Sequence, residues 1–100
     1  MSEQIDNALV EQIANLLQET GRAHHEAFHD VDGADPEWPM WYAARLQEPL
    51  NRLLDCDYTQ SEIVYHLIHL DRDYAEQSPG IPWSHYYARY FVADHAKPSF

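Results

Sequence analysis

Five of the seven histidines in this chain fall at helical spacing in two clusters, and they are its most chemically versatile side chains. His24 lies on the predicted apolar face of the first helix, whereas His66 and His69 lie along the edge of the apolar face of a later helix. Imidazole is a common ligand of zinc and iron in helical bundles. One hypothesis is therefore a mononuclear zinc or iron site formed by His24, His66 and His69. The alternative is that the protein binds no cofactor and that nearby acids hydrogen-bond these histidines.

Two similar hexapeptides, WPMWYA at residues 38–43 and WSHYYA at residues 83–88, contain six aromatic side chains. Helical projection places a tryptophan of the first hexapeptide on a charged face, where it needs an arginine to stack on or a covering surface. Three tyrosines of the fourth helix spread over an arc that is too wide for one core to bury. The sequence thus predicts an aromatic partner-binding surface formed by Trp41, Arg45, Tyr86, Tyr87 and Tyr90.

No residue pattern in the chain indicates a catalytic mechanism. The serines lack a nucleophile-elbow motif, and the three glycines do not form a phosphate-binding loop. The single cysteine, Cys56, lies between two aspartates whose charges are expected to raise the pKa of its thiol. The sequence therefore names no catalytic residue and favours a non-enzymatic interaction or binding module.

The strong excess of acidic residues limits the class of partner. Seventeen acidic residues and six basic residues give a formal net charge of −11. A surface of this charge repels the backbone of nucleic acids and anionic membranes. The predicted partner is therefore a protein or a second copy of the chain in a homodimer. A further alternative is an acidic decoy that occupies a basic protein surface.

Length and cysteine content predict one domain and its compartment. One hundred residues are enough for a single domain, residues 1–100. A single cysteine excludes an internal disulfide and favours a reducing compartment. Residues 1–4 lack the pattern of a signal peptide, and no apolar stretch is long enough to span a bilayer. The predicted location is the cytoplasm.

Apolar periodicity predicts the first two helices that position these residues. The first helix is expected from about Glu3 to about Asp30, with Gly21 as a point where it bends or splits. The second helix is expected to begin near Asp35, which is a good N-cap. Pro49 falls inside the second apolar pattern and predicts a kink or a break.

End signals define the third and fourth helices more sharply. Thr59 begins a capping box that predicts the start of the third helix, and residues 78–80 (SPG) predict its end. The fourth helix is expected to start at Pro82. Because no segment alternates with a period of two, the fold class is all-α, with four helices in a small bundle-like arrangement. The repeated hexapeptide favours two helical hairpins.

The aromatic motif also carries a family resemblance. Residues 35–43 (DPEWPMWYA), preceded by AHH at residues 23–25, resemble a family of small uncharacterised bacterial helical proteins. The similarity continues at residues 70–74 (LDRDY) and 82–89, and it covers roughly residues 20–90. The resemblance implies a bacterial cytoplasmic protein, and it brings no activity, ligand or catalytic residue.

Overall fold

The chain folds into four α-helices. The computed structural model describes residues 7–31 and 35–96, and these residues include no strand. A short 3-10 helix, His29–Val31, follows the first α-helix. The prediction of an all-α, four-helix arrangement is therefore confirmed. The four helices are α1 (Asn7–Ala27), α2 (Trp38–Leu54), α3 (Gln60–Gln77) and α4 (Trp83–Ala96).

The described helices share one hydrophobic core in which α1 is central. It packs against both α2 and α4, while α2 also packs against α3. The predicted hairpin of α1 and α2 is present, whereas α3 and α4 meet over a much shorter length. This short contact leaves an open seam on the surface between α3 and α4. The core side chains that are fully shielded from solvent include Ile13, Leu17, Leu46, Leu50, Leu67 and Phe91.

Gly21 lies inside a continuous α1 and neither splits nor ends it. A side-chain carbon at Gly21 would lie 3.2 Å from the hydroxyl oxygen of Tyr42 and 3.4 Å from the ring of Trp83. The missing side chain at Gly21 therefore lets Tyr42 and Trp83 pack closely against α1. The helix ends at Ala27, slightly before the predicted end, and its predicted start at Glu3 lies outside the described residues.

The start of α2 differs from the prediction that Asp35 is its N-cap. The helix begins at Trp38, and its N-cap makes no side-chain hydrogen bond. Pro39 lies in the first turn, where its missing N–H group leaves no intrahelical bond unmade. The Asp35 carboxylate instead accepts a hydrogen bond from the backbone N–H of Glu37 at 3.0 Å, which shapes the preceding turn. The helix continues through Pro49 to its end, so this proline does not split it.

The predicted boundaries of α3 are confirmed. The Thr59 hydroxyl accepts from the backbone N–H of Glu62 at 3.1 Å, and the Glu62 carboxylate accepts from the Thr59 N–H at 2.8 Å. The helix ends where Ser78 adopts a left-handed conformation, with φ of 42°. After a short loop, the carbonyl of Pro82 accepts from two backbone N–H groups of the first turn of α4. The proline therefore directly precedes α4, one residue before the helix starts.

Candidate functional site

Two adjoining clefts lie on the outer surface of α4, and we refer to them together as the α4 double cleft. The larger cleft, of about 500 Å³, lies between α3 and α4, and the smaller one, of about 280 Å³, lies between α1 and α4. Both are open to solvent, and both are lined by Ile81 and Arg89. The larger cleft is also lined by Leu70, Asp73, Pro79, Tyr86, Tyr90 and Ala93. The smaller cleft is also lined by Asn7, Val10, Glu11, Pro82 and His85.

Helical register places the functional side chains of α4 on the cleft surface. Tyr86, Arg89 and Tyr90 follow one another at helical steps, so they share the outer face of the helix. Tyr87 and Phe91 lie on the neighbouring face and are buried in the core. Tyr86 and Tyr90 pack partly against the core and partly line the cleft.

The loop before α4 closes one end of the larger cleft. The Tyr74 hydroxyl, on α3, donates a hydrogen bond of 2.5 Å to the carbonyl of Ile81. The rings of Tyr74 and Tyr86 also pack against each other, with centroids 5.4 Å apart. These contacts hold the loop against α3 while the two helices stay apart along the cleft.

The charges of the double cleft alternate across α4. Arg89 is exposed and forms no ion pair with any residue in 7–31 or 35–96. On one side of the double cleft, Glu11 lies 3.1 Å from Nε2 of His85. On the other side, Asp73 lies 3.0 Å from Nε2 of His69. Within the described part of the chain, a guanidinium without an ion pair is therefore flanked by two carboxylates that already have histidine partners.

The two tyrosines of the larger cleft differ in how their hydroxyls are used. Within the described ranges, the Tyr86 hydroxyl has no hydrogen-bond partner. The Tyr90 hydroxyl lies 2.8 Å from Nδ1 of His66, whose Nε2 faces Asp94 at 3.8 Å. This arrangement favours the proton on Nε2, so Tyr90 is the donor. Burial raises the pKa of Tyr90, which keeps its phenol protonated and makes it a poor general base.

A polar network at the other end of the seam joins α3 to α4. The Tyr58 hydroxyl, from the loop before α3, donates to the Asp94 carboxylate at 2.6 Å. Burial and this carboxylate both raise the pKa of Tyr58. Sequence reasoning missed both residues, because they lie far apart along the chain and no short motif contains them. The network stabilises the end of the seam and leaves the larger cleft open.

His24 lies in an enclosed aromatic environment and does not line the α4 double cleft. Its Nε2 lies 3.0 Å from Asp35, and both side chains are about one-tenth exposed, at 9% and 10%. The rings of Phe28, Trp41 and Tyr42 surround the imidazole, with centroids 4.7 to 5.3 Å away. The pair links α1 to the segment before α2. Its enclosure indicates a structural contact and leaves little room for a ligand.

The three histidines of the metal hypothesis do not form one ligand set. His24, His66 and His69 lie against three different carboxylates, those of Asp35, Asp94 and Asp73. Across residues 7–31 and 35–96, no group of three His, Cys, Asp or Glu side chains converges closely enough to hold a metal ion. The geometry therefore gives no support to the mononuclear metal alternative.

The structure places the five predicted partner-binding residues in three environments. Tyr86 and Tyr90 meet in the larger cleft, as an aromatic surface requires. Tyr87 is only 5% exposed, so its assignment to a contact surface was wrong. Trp41 and Arg45 line neither part of the double cleft.

Trp41 is half-buried, and of its two expected contacts, a stacked arginine or a covering surface, the chain supplies the arginine. Phe28, at the end of α1, packs against it at 6.4 Å, and the guanidinium of Arg45 lies 4.8 Å from the centre of its ring. Projection of α2 alone indicated the arginine contact but missed Phe28, because that ring comes from outside α2. Arg89 was also missed, although its spacing from Tyr86 places both on one helix face.

Comparisons with known proteins give no information about function, so the function is inferred from the geometry of the site. No family model, no curated protein and no solved structure matches this chain. The resemblance of residues 35–43 to small bacterial proteins stays a prediction. Among the described helices, none combines the length and the apolar character needed to cross a membrane.

Proposed function

We propose that this chain is a non-enzymatic binding module that holds a partner polypeptide against the α4 double cleft. The observation that carries this proposal is the open seam between α3 and α4, where polar groups remain available beside apolar walls. Arg89 and Tyr86 supply donors with no partner in the described ranges. Pro79 and Tyr90 supply apolar surface next to them. Tyrosine and arginine are enriched at protein interfaces for this combination of properties.

The shape of the double cleft favours a polypeptide over a small metabolite. Sites for small ligands bury most of the ligand in an enclosed cavity. The two clefts are instead open and adjoin along one helix, so a small molecule in either would stay largely in water. A polypeptide segment lying across α4 fills both at once.

The nucleophilic and basic side chains support a binding role over a catalytic one. Burial and three nearby acids raise the pKa of the Cys56 thiol, whose sulfur also donates a hydrogen bond to Asn51. The phenol of Tyr90 stays protonated for the reason given above, and His24 is enclosed. A free thiol without a disulfide also fits the cytoplasm, where we place this protein.

Charge favours a different protein over a second copy as the occupant. Two copies that each carry a net charge of −11 repel one another at low ionic strength. Sedimentation analysis at low and high salt tests this choice. If the wild-type protein forms a dimer at low salt and the Tyr86→Ala variant is monomeric, the cleft would instead be a self-association surface.

Selection from a phage-displayed library of random dodecapeptides tests the proposed function directly. We expect peptides selected on the wild-type protein to bind Tyr86→Ala about tenfold more weakly or worse, as for a residue central to an interface. The matched control is Tyr65→Ala, because Tyr65 is an exposed tyrosine on α3 that lines neither cleft. Peptides that bind the wild-type protein and Tyr86→Ala equally well would contradict the proposal.

A further inference from the structure

The position of Arg89 indicates the chemistry of the partner. Ile81 and Arg89 line both clefts, and Arg89 is the charged one of the two, so a segment that spans the clefts passes beside this arginine. The guanidinium is exposed and has no ion pair within residues 7–31 and 35–96. A carboxylate is its best complement, since the two groups form paired charge-assisted hydrogen bonds.

The walls on either side of Arg89 select apolar side chains. The larger cleft offers Pro79 and the rings of Tyr86 and Tyr90, and the smaller cleft offers Ile81 and Pro82. A side chain placed on each side of the arginine would bury apolar surface against these walls. The occupant therefore has an acidic residue between two apolar residues.

The acidic charges on either side of Arg89 favour basic residues at both ends of the bound segment. Glu11 and Asp73 lie on opposite sides of Arg89, and the chain as a whole carries a net charge of −11. A field of this sign attracts positively charged segments and repels acidic ones. Arg89 is the one Lys or Arg side chain that lines the two clefts in the described ranges, so it fixes where the acidic residue of the partner binds.

We propose that the α4 double cleft binds a net-basic polypeptide segment in which an acidic side chain, contacting Arg89, lies between two apolar side chains that fill the larger and smaller clefts. This inference rests on the proposed function and narrows its partner to one class. It also differs from the acidic-decoy alternative, in which any basic protein surface would bind. Here only basic segments with an acidic residue between two apolar residues would bind.

Synthetic peptides that differ at one position test the pattern. The probes are a selected dodecapeptide with glutamate at the central position and its versions with glutamine or lysine there. On the wild-type protein we expect the glutamine and lysine versions to bind about tenfold more weakly, the loss typical of a hydrogen bond to a charged group. On Arg89→Glu we expect the order to reverse, with the lysine version binding best.

Because Arg89 is exposed, we expect its variants to fold. Thermal melts of Arg89→Glu and Arg89→Gln test this. Raising the salt concentration should weaken binding of the glutamate peptide, because its basic flanks are attracted through solvent. Equal binding of all three peptides to the wild-type protein would overturn the inference. If Tyr86→Ala still abolished that binding, the proposed function would stand; if Tyr86→Ala had no effect, both would fall.

Discussion

Two regions of this molecule contain similar aromatic hexapeptides, but one region is closed to solvent and the other is open. In the closed region, formed by the end of α1 and the start of α2, Trp41 and Tyr42 surround the buried His24. In the open region, between α3 and α4, Tyr86 and Tyr90 line a cleft that solvent can enter. Similar local sequences thus produce either an internal contact or a surface, depending on which neighbouring helix covers them.

The difference follows from the lengths over which helices pack. Phe28, the residue directly after α1, lies far enough along α2 to pack against Trp41. The contact between α3 and α4 is short, and its polar links lie at the two ends of the seam. Polar contacts in the closed region are therefore shielded, whereas those in the open region compete with water. This difference predicts unequal effects of similar substitutions.

His24→Ala should give the largest loss, because it removes a buried ring and leaves the Asp35 carboxylate enclosed without its partner. We expect the free energy of unfolding to fall by about 3 kcal/mol. The matched variant in the open region is His69→Ala, whose histidine is 39% exposed in its pair with Asp73. Its loss should stay below about 1 kcal/mol. Urea denaturation of both variants measures the contrast, and equal losses would remove the distinction between the regions.

Gly21→Leu should give the next largest effect, since its side chain would collide with Tyr42 and Trp83. Overpacking of this kind costs about 1–3 kcal/mol. Ala44→Leu is the control, because Ala44 is an exposed residue in the middle of α2. Thermal melts should show a marked decrease for the first variant and almost none for the second. A Gly21→Leu protein as stable as wild type would mean that α2 and α4 do not depend on this close approach.

Tyr58→Phe tests the polar network at one end of the open region. The loss of the bond to Asp94 should cost about 1 kcal/mol at neutral pH. Because folding raises the pKa of Tyr58 above its ordinary value of 10.0, its neutral form stabilises the folded protein. That stabilisation is complete below about pH 10 and is lost as the pH rises further. Urea denaturation above pH 10 should show a shallower decline for Tyr58→Phe, and an unchanged slope would argue against the network.

Arg89→Gln should give the smallest change in stability, below about 0.5 kcal/mol, because the guanidinium is exposed and unpaired within the described ranges. The same variant should weaken the selected peptides. A large loss of stability would show that Arg89 has a structural partner and is less available to a ligand. Differential scanning calorimetry of this variant and the wild type provides the measurement.

Local signals in the sequence were sufficient for both boundaries of α3 and for the start of α4. The capping box of Thr59 and the stop at residues 78–80 involve neighbours along the chain, so the sequence contains them whole. The start of α2 was predicted wrongly because the Asp35 carboxylate can do one of two things. It can cap a helix, or it can stabilise the preceding turn and pair with the buried His24. Only the packed structure distinguishes between them.

The candidate site was predictable only in part, because it depends on contacts between helices. Tyr86 and Tyr90 were identified from their wide arc on α4, whereas Tyr87 on the same arc turned out to face the core. The position of Arg89 between two clefts depends on how far α1 and α3 stand from α4. No spacing along one helix encodes those distances.

Gly21 has a mechanical consequence for the molecule. Tyr42 and Trp83, one from each hexapeptide, both rest on this single point of α1. A side chain at this one position would therefore press on both regions, through Tyr42 in the closed one and through Trp83 at the start of α4. We thus expect a substitution at Gly21 to disturb the packing of α2 and of α4 together.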